Sequence, residues 1–439
     1  MATKPPNLGL ESVGGLAIHI IVAKLGPSEA ATIACVNKRF KDWASDESLW
    51  SSFCNQDLNI TSPIDPNGNP CPSFKEAYGA WREAYGMYPW SLVRRVKNVW
   101  DKIKTWLTNN FPEVLPTLRK GVSEDDLNEL EKSLEVKLPT PTRVMYRFCD
   151  GQELVSDKSS GLKSLCGLIG GYSFYNYLAN VFLFPINVVI RETMDFVHHL
   201  GFKTPKYIAV AAASTSAEKI FFLDCEDGQL YVGTKKLLSD RQMMPCVPNG
   251  LISTQQDAML LWLEEHARRL ENGIIKVREE DGVRSISLFP ELPPLCSSAT
   301  TCGVQVRASA VFIPEFSDLV EEAEKYMFAY SIRMSLKPEG CFVHGMSVDS
   351  CQLYWRHWII KENDRVVGDI NGEAVIGLFP LLRPGEKEFV YESCTSASAS
   401  PGSIEGYFTF VPGRLADPKG SPFEVEVAQF PLQLPDYIF

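Results

Sequence analysis

The sequence lacks the short motifs that mark most enzyme active sites. It contains no Walker phosphate loop, no H-E-x-x-H, no G-x-S-x-G and no intact G-x-G-x-x-G. Its 12 cysteines never form C-x-x-C, and no histidine accompanies a cysteine pair in a zinc-like pattern. The spacing of Cys351 and His357 specifies no catalytic dyad. We therefore expect no catalytic residue, no cofactor and no metal site.

The sequence also lacks an excess of positive charge and a long apolar run. Its net charge is −11, which opposes a general attraction to nucleic acid. The longest apolar segment, residues 177–190, is too short to span a membrane and contains Pro185. No signal-peptide pattern opens the sequence. We therefore expect a location in the cytoplasm or nucleus, reduced thiols, and neither nucleic acid nor membrane as a partner.

The length and the charge distribution indicate several domains. A chain of 439 residues predicts about two to four domains. Residues 297–439 contain 11 Lys and Arg against 19 Asp and Glu, so most of the net negative charge of −11 lies in this part. An acidic domain favours a basic partner surface if it contacts a partner at all.

Residues 10–58 predict short helices, with Asp46 as the N-cap of the last one. About fifty residues in short helices cannot bury all of their large apolar side chains among themselves. Another surface must cover them, and this surface belongs either to a partner or to the rest of the chain. The apolar residues are Val13, Ile18, Ile21, Val22, Leu25, Ile33, Val36, Phe40, Leu49 and Trp50.

This region resembles the F-box, the helical segment that docks F-box proteins onto the Skp adaptor of cullin–RING ubiquitin ligases. The resemblance rests on the apolar stripe from Val13 to Leu25, on Gly26-Pro27, on Lys38-Arg39-Phe40 and on Asp46 with Leu49-Trp50. It implies that the ten apolar residues named above bind the adaptor. On that basis we expect binding to weaken when Phe40 and Trp50 both become Ala.

Residues 59–113 predict a linker followed by a tryptophan-rich amphipathic helix. Four prolines and Asn67-Gly68 crowd residues 61–72. In the helix that follows, apolar residues from Leu92 to Leu107 form one side, and Lys and Arg residues form the other. Such a helix either binds an anionic surface or packs with its charged side in solvent, and the tryptophans favour packing.

Residues 114–272 predict an α+β domain. Ser123 precedes an acidic first turn and is a good helix N-cap. Strand-like segments follow at 162–171, 206–214, 219–225 and 228–234, and Glu226-Asp227-Gly228 predicts a hairpin turn. A helix capped by Ser253 closes the region. The first half resembles the SMI/KNR-like superfamily of binding modules, on the segments 123–138 and 146–151.

Residues 273–302 predict a hairpin and a linker, and residues 303–439 an all-β sandwich. The latter resemble ApaG, a small fibronectin-type sandwich, on Tyr326 to Ile332, on Arg356 to Ile360 and on residues 372–393. ApaG has a glycine-rich loop that is read in some members as pyrophosphate-binding. Here Ala374 replaces the middle glycine, which opposes close approach of phosphate to backbone N–H groups.

One strand of this region contains candidate target-binding residues. Tyr354, Arg356 and Trp358 lie two residues apart, so they should share one face of a strand. An arginine between two aromatic rings suits cation–π stacking. A binding groove and a structural ladder are both compatible with this pattern.

The predicted fold is therefore multidomain α+β: a helical F-box, a central α+β SMI/KNR-like domain and a C-terminal ApaG sandwich. The resemblance implies a non-catalytic substrate-recognition subunit of a Skp–cullin–F-box ubiquitin ligase. Its partners would be a Skp-type adaptor, cullin and RING subunits through that adaptor, and an unknown target protein. An ApaG-led binder of a small phosphorylated ligand or metal, with the F-box as a regulatory appendage, is the alternative. An F-box protein that works outside any ligase is a third.

Overall fold

Helices make up the N-terminal part of the chain. The computed structural model describes residues 14–153, 164–200, 205–215, 218–249, 258–280 and 282–439. The chain divides into two compact units, Met1–Trp100 and Asp101–Phe439. Val13, the cap Ser253 and the first two residues of the predicted strand 162–171 lie outside the described residues.

The helices of the first unit follow one another with short connections. They are α1 (Gly15–Leu25), α2 (Pro27–Ile33), α3 (Lys38–Ala44), α4 (Glu47–Leu58), α5 (Phe74–Tyr85) and α6 (Trp90–Asn110), and the division between the units lies within α6. Gly26 separates α1 from α2 with a φ of 97°, which glycine adopts at little cost. Asp46 caps α4 as predicted, accepting hydrogen bonds from the backbone N–H groups of Ser48 and Leu49.

Helix α5 lies between the predicted linker at 61–72 and the predicted amphipathic helix. Its N-cap is Ser73, whose hydroxyl accepts a hydrogen bond from the backbone N–H of Glu76. The Ser-x-x-Glu spacing of a capping box is visible in the sequence but was overlooked beside the prolines. The helix buries Tyr78 and Trp81. This helix was not among the elements predicted for residues 59–113.

The second unit begins with a mixed helical and strand region. Its helices are α7 (Glu124–Leu134), α8 (Thr140–Phe148), α9 (Ile186–Leu200), α10 (Leu237–Asp240) and α11 (Ala258–Glu271). Its strands are β1 (Leu118–Lys120), β2 (Cys149–Gln152), β3 (Ser164–Leu165), β4 (Gly170–Phe174), β5 (Tyr177–Leu183), β6 (Tyr207–Ala213), β7 (Ile220–Asp224), β8 (Leu230–Gly233), β9 (Met243–Pro245), β10 (Lys276–Glu280) and β11 (Val283–Ser287).

Strands β1 and β2 pair with each other, and the other nine strands form a central sheet that is mostly antiparallel. The order is β10-β11-β4-β5-β6-β7-β8-β9, and β3 pairs with β11. The hairpins predicted at 219–234 and 274–289 are confirmed as β7-β8 and β10-β11. Ser123 caps α7 in a capping box with Asp126.

The longest apolar segment of the sequence divides into two elements. Residues up to Leu183 form β5, and residues from Ile186 form α9, with Pro185 between them. Proline disfavours helical geometry in the residue before it, which fixes this boundary. Within the described residues, no helix combines the length and the apolar composition needed to cross a membrane.

The C-terminal part of the second unit is an all-β sandwich, as predicted. Its strands are β12 (Cys296–Thr301), β13 (Val304–Ile313), β14 (Tyr326–Leu336), β15 (Cys341–Val343), β16 (Met346–Val348), β17 (Cys351–Glu362), β18 (Arg365–Glu373), β19 (Leu381–Leu382), β20 (Phe389–Ala397), β21 (Gly402–Arg414), β22 (Asp417–Pro418) and β23 (Phe423–Leu432). One sheet has the order β12-β13-β14-β20, and the other has the order β18-β17-β21-β22, with β19 on β17 and β23 on β21.

The sandwich core follows from the two-residue alternation of its strands. Phe423, Val425 and Val427 of β23 are buried, while the residues between them face outward. Strand β23 packs against β12 and β13 of the other sheet. Because β12 pairs with β13 along its whole length, the linker predicted up to residue 302 is partly a strand.

A buried lysine joins the central sheet to the sandwich. The side chains of Lys219 and Glu315 have no exposed surface, and their charged atoms lie 3.8 Å apart. The Lys219 ammonium donates to the hydroxyl of Tyr172 at 2.8 Å and to the main-chain oxygen of Phe439 at 2.6 Å. Glu315 accepts hydrogen bonds from the hydroxyls of Tyr172 and Tyr177. Burial lowers the pKa of Lys219, so each of these partners offsets part of its desolvation.

The last residues of the sequence pack beside this cluster. Phe439 stacks on Trp262 with ring centroids 5.4 Å apart, and the Trp262 indole donates to the main-chain oxygen of Ile438 at 2.7 Å. The backbone N–H of Ile438 donates to the carbonyl of Cys246. These contacts attach the end of the sandwich segment to the central sheet and α11.

Substitution of Lys219 tests the importance of this contact. We expect Lys219→Met to lower the free energy of unfolding of the second unit by about 3–5 kcal/mol, because it leaves Glu315 buried without its cation. Lys102→Met removes the cation of an exposed pair, 2.7 Å from Glu271, and should cost at most about 1 kcal/mol. Urea unfolding monitored by circular dichroism measures both values. Equal effects of the two substitutions would contradict the assigned role of Lys219.

Two buried groups in this unit make the free energy of unfolding depend on pH in opposite senses. Burial, followed by the negative charge of Glu280, raises the pKa of Glu392 from 4.5 to about 7. Burial lowers the pKa of His266 from 6.5 to about 4. The stabilising contribution of Glu392 is therefore complete below pH 4.5 and lost as the pH rises through 7. That of His266 is present above pH 6.5 and lost as the pH falls toward 4.

The two contributions should largely cancel between pH 5 and 7, and single substitutions should separate them. In Glu392→Gln, the free energy of unfolding should rise by about 2 kcal/mol from pH 5 to 7 relative to the unchanged chain. In His266→Gln, it should fall by about the same amount, because only the Glu392 contribution remains. Urea unfolding at pH 5, 6 and 7 measures these slopes. Parallel profiles for all three chains would show that the pKa assignments are wrong.

Candidate functional site

Helix α1 is apolar on two opposite sides. Its 11 residues include two polar side chains, His19 and Lys24. Ile18 and Val22 lie one turn apart and are buried. Leu16 and Ile20 project from the opposite side, with 77% and 49% of their surface exposed. A helix that is apolar all round is normally enclosed on every side. Helix α1 is covered on one side only, so its second apolar face is open to a partner.

The structure divides the predicted adaptor-binding residues into two groups. Ile21, Leu25 and Val36 are exposed, and Ile33 is partly buried. The side chains of the second group are buried and belong to the core of the described chain: Ile18, Val22, Phe40, Leu49 and Trp50. Contact of either group with the adaptor stays a prediction. Val13, the remaining predicted residue, lies outside the described residues.

Leu16 and Ile20 are not among the predicted docking residues, yet they have the largest exposed fractions of the large apolar residues on α1. A helical stripe based on Ile18 and Val22 describes the side of α1 that faces its own unit. The signal for the other side was available, because apolar residues also occupy the positions two before and two after Ile18. We therefore extend the candidate docking surface to Leu16, Ile20, Ile21 and Leu25, and call it the α1 surface.

Phe40 and Trp50 take part in a network of aromatic contacts within the first unit. The Trp50 indole donates to the carbonyl of Ala44 at 2.7 Å, and its ring meets Tyr78 edge to face at 5.5 Å. Phe40 packs edge to face on Trp43 at 5.4 Å. These contacts hold α3, α4 and α5 together. Edge-to-face aromatic pairs stabilise a fold by more than the burial of their apolar area alone.

The candidate target-binding strand contains a bulge. The pairing of β17 with β21 shifts between Leu353 and Trp355, so Tyr354 is the extra residue. Leu353 and Trp358 are both buried although five residues separate them, which an unbroken alternation would not allow. The expectation that Tyr354 shares a face with Arg356 and Trp358 is therefore wrong.

The structure places the three residues differently. Tyr354 is exposed, while Trp358 is buried and packs edge to face on Phe408 at 5.3 Å. The Arg356 guanidinium donates to the carbonyls of Glu373 and Ala374, at 3.0 and 2.7 Å. Arg356 thus fastens the following hairpin to β17, and Tyr354 presents its ring to solvent. Target binding by any of the three stays a prediction.

The hairpin at residues 374–379 replaces the glycine-rich loop of ApaG. Backbone N–H groups of Ala374, Val375 and Leu378 donate to the carbonyls of Tyr354, Leu378 and Val375. An anion-binding loop needs N–H groups that point at the ligand, and these three are used internally. Among the residues that the structure describes, no group of three or more His, Cys, Asp or Glu could hold a metal ion.

Comparisons with known proteins agree with this architecture. The ApaG domain family matches residues 317–412. F-box protein SKIP16 of Arabidopsis thaliana is 59% identical over 98% of this chain and 100% of its own length. F-box only protein 3 of Homo sapiens is 25% identical over 100% of this chain and 86% of its own. Protein ApaG of Nitrosomonas europaea is 35% identical over 30% of this chain and 91% of its own.

Identity at this level over nearly the whole of both chains defines the class of protein. The chain belongs to the F-box proteins that combine an N-terminal helical region with a C-terminal ApaG domain. The ApaG match lies entirely within the all-β sandwich.

The burial of Phe40 and Trp50 predicts how their removal acts. We expect the double substitution Phe40→Ala and Trp50→Ala to destabilise α3 and α4, since each large-to-small change in a core costs about 3–5 kcal/mol. Hydrogen exchange of these helices, measured on the chain alone, should accelerate. Unchanged exchange together with lost adaptor binding would instead show that the two side chains contact the adaptor directly.

Proposed function

We propose that this protein is the target-recognition subunit of a Skp–cullin–F-box ubiquitin ligase. The helical first unit docks onto a Skp-type adaptor, and the adaptor connects it to cullin and RING subunits. The proposed domain plan is an F-box at 10–58, a linker and helical segment at 59–113, an SMI/KNR-like domain at 114–272, a hairpin and linker at 273–302 and ApaG at 303–439. The later domains hold the target.

The uncovered apolar face of α1 is the observation that carries this proposal. Complete burial of one large apolar side chain contributes about 1.5–3 kcal/mol. Leu16 and Ile20 expose much of their surface, and Ile21 and Leu25 flank them on the same helix. A partner that covers four such residues gains several kcal/mol, which is sufficient for a stable contact once the cost of association is met. Membership of the F-box proteins supports a Skp-type adaptor as that partner.

The proposed subunit performs no bond chemistry of its own. It binds the target on one part and the adaptor on another, so that the target stays close to the ubiquitin-loaded enzyme. Connection of two binding sites converts an encounter between separate molecules into a local event with a high effective concentration. Correct positioning of the reacting groups then lowers the barrier to transfer.

Charge substitutions on the α1 surface test the proposal. Leu16→Asp combined with Ile20→Asp should weaken binding of a purified Skp-type adaptor by at least about 100-fold, because a carboxylate would enter an apolar contact. Both side chains are exposed in the chain alone, so its melting temperature should change little. Isothermal titration calorimetry measures the affinity.

Met87→Asp provides the control for this experiment. Met87 is an exposed apolar residue of the same unit that lies outside α1, and its substitution should leave the adaptor affinity unchanged. If the α1 double variant bound the adaptor as tightly as the Met87 variant, α1 would not be the docking surface.

A further inference from the structure

Strand β18 is the open edge of one sheet of the sandwich. Among the strands in the described residues, β18 pairs with β17 alone. It is nine residues long and exposes Val366, Val367 and Ile370, the first with 60% and the last with 44% of its surface accessible. Exposed edge strands are normally short, charged or covered, because their free N–H and C=O groups attract another strand. The pairing of β18 with β17 shifts at Val367, so the regular part of the edge is residues 368–373, whose open side is free to pair with another strand.

A rigid apolar turn follows the end of this edge. Ile376 and Gly377 occupy the turn between Val375 and Leu378, with φ values of 45° and 78°. A β-branched residue rarely adopts a positive φ, and such a conformation costs about 1–3 kcal/mol. The hydrogen bonds from Arg356 to the preceding carbonyls hold the turn in place. Ile376 and Leu378 remain exposed, so the turn presents two apolar side chains next to β18.

The charges along this edge favour a basic partner segment. Asp364, Asp369 and Glu373 are exposed along β18 and the turn before it, and Arg365 is the basic residue among them. In one antiparallel register, pairing of β18 with a second copy of itself is disfavoured. The antiparallel register that places Arg365 opposite Glu373 also places Asp369 opposite Asp369, and like charges in that position are destabilising.

We propose that β18 and the apolar turn bind an extended segment of a target protein, in which apolar residues alternate with Lys or Arg. The segment adds a strand to β18 through main-chain hydrogen bonds. The register of β18 against β17 shifts at Val367, so Val366 lies on the same face as Asp369 and Glu373, and Ile370 lies on the other face. The basic side chains of the segment face Asp369 and Glu373, and its apolar side chains contact Ile370 on the opposite face and Ile376 at the turn. The identification of this segment as part of a ligase target rests on the proposed function, whereas the binding surface itself does not.

Synthetic peptides test the surface directly. The probe is a labelled ten-residue peptide of alternating Val and Lys, with a second peptide in which Glu replaces Lys. Fluorescence anisotropy with the full chain should show at least 10-fold tighter binding of the basic peptide. Saturation with this peptide should slow hydrogen exchange within residues 365–373.

Matched variants show whether the binding is specific. Val366→Lys with Ile370→Lys should weaken binding of the basic peptide at least 10-fold. Leu238→Lys with Val320→Lys introduces the same charges at exposed apolar sites outside the surface and should have less than a 3-fold effect. Asp369→Lys should reduce or reverse the preference between the two peptides. Because all of these side chains are exposed, circular dichroism should show an unchanged fold.

Several results would overturn the proposal. These are no binding of the basic peptide at 1 mM, equal losses in the two double-lysine variants, or slowed exchange confined to another part of the chain. A dimer of the unchanged chain that becomes a monomer in the Val366/Ile370 variant would assign the edge to a second copy instead. Adaptor binding of this variant is measured in parallel, so that a failure of the peptide test with normal adaptor binding rejects only this inference.

Discussion

A buried positive charge makes the central sheet and the sandwich depend on each other. Lys219 follows the end of β6 and precedes β7, in the middle of the central sheet, yet its partners come from three separate segments. Tyr172 belongs to the central sheet, whereas Glu315 and Phe439 belong to the sandwich part of the chain. Removal of a lysine from water costs several kcal/mol, and neither part offsets that cost alone. The acidic sandwich is therefore a component of one folded unit.

This dependence determines which surfaces of the sandwich are available to a partner. Strands β14 and β20 belong to the four-stranded sheet and contact β4 of the central sheet. The open edge β18 belongs to the other sheet of the sandwich. The four-stranded sheet of the sandwich thus contacts the central sheet, and the other sheet of the sandwich has an uncovered edge. Because the internal contact is fixed by buried ionic and aromatic groups, the edge and its apolar turn are held in a defined position within the second unit.

Local signals allowed much of the fold to be predicted, whereas several tertiary features could not be. The caps at Asp46 and Ser123 and the hairpin turn at Glu226-Asp227-Gly228 depend on a few neighbouring residues, and all three are present. The bulge at Tyr354 depends on the partner strand, and alternation alone placed this residue incorrectly. At the candidate docking site, the apolar composition of α1 indicated a need for cover. Which side faced inward depended on how α1 packs on its neighbours, so Leu16 and Ile20 were not selected.

In both candidate surfaces, apolar residues that are buried in the core lie next to apolar residues that are exposed. On α1, the buried residues Ile18 and Val22 alternate with exposed Leu16 and Ile20, and in the turn after β18, buried Val375 precedes exposed Ile376. In each case the inward side chains are buried in the core and stabilise the fold. The outward side chains stay exposed to solvent and contribute little to the free energy of folding. A surface isoleucine in a strained backbone conformation weakens the fold and contributes only when another molecule covers it.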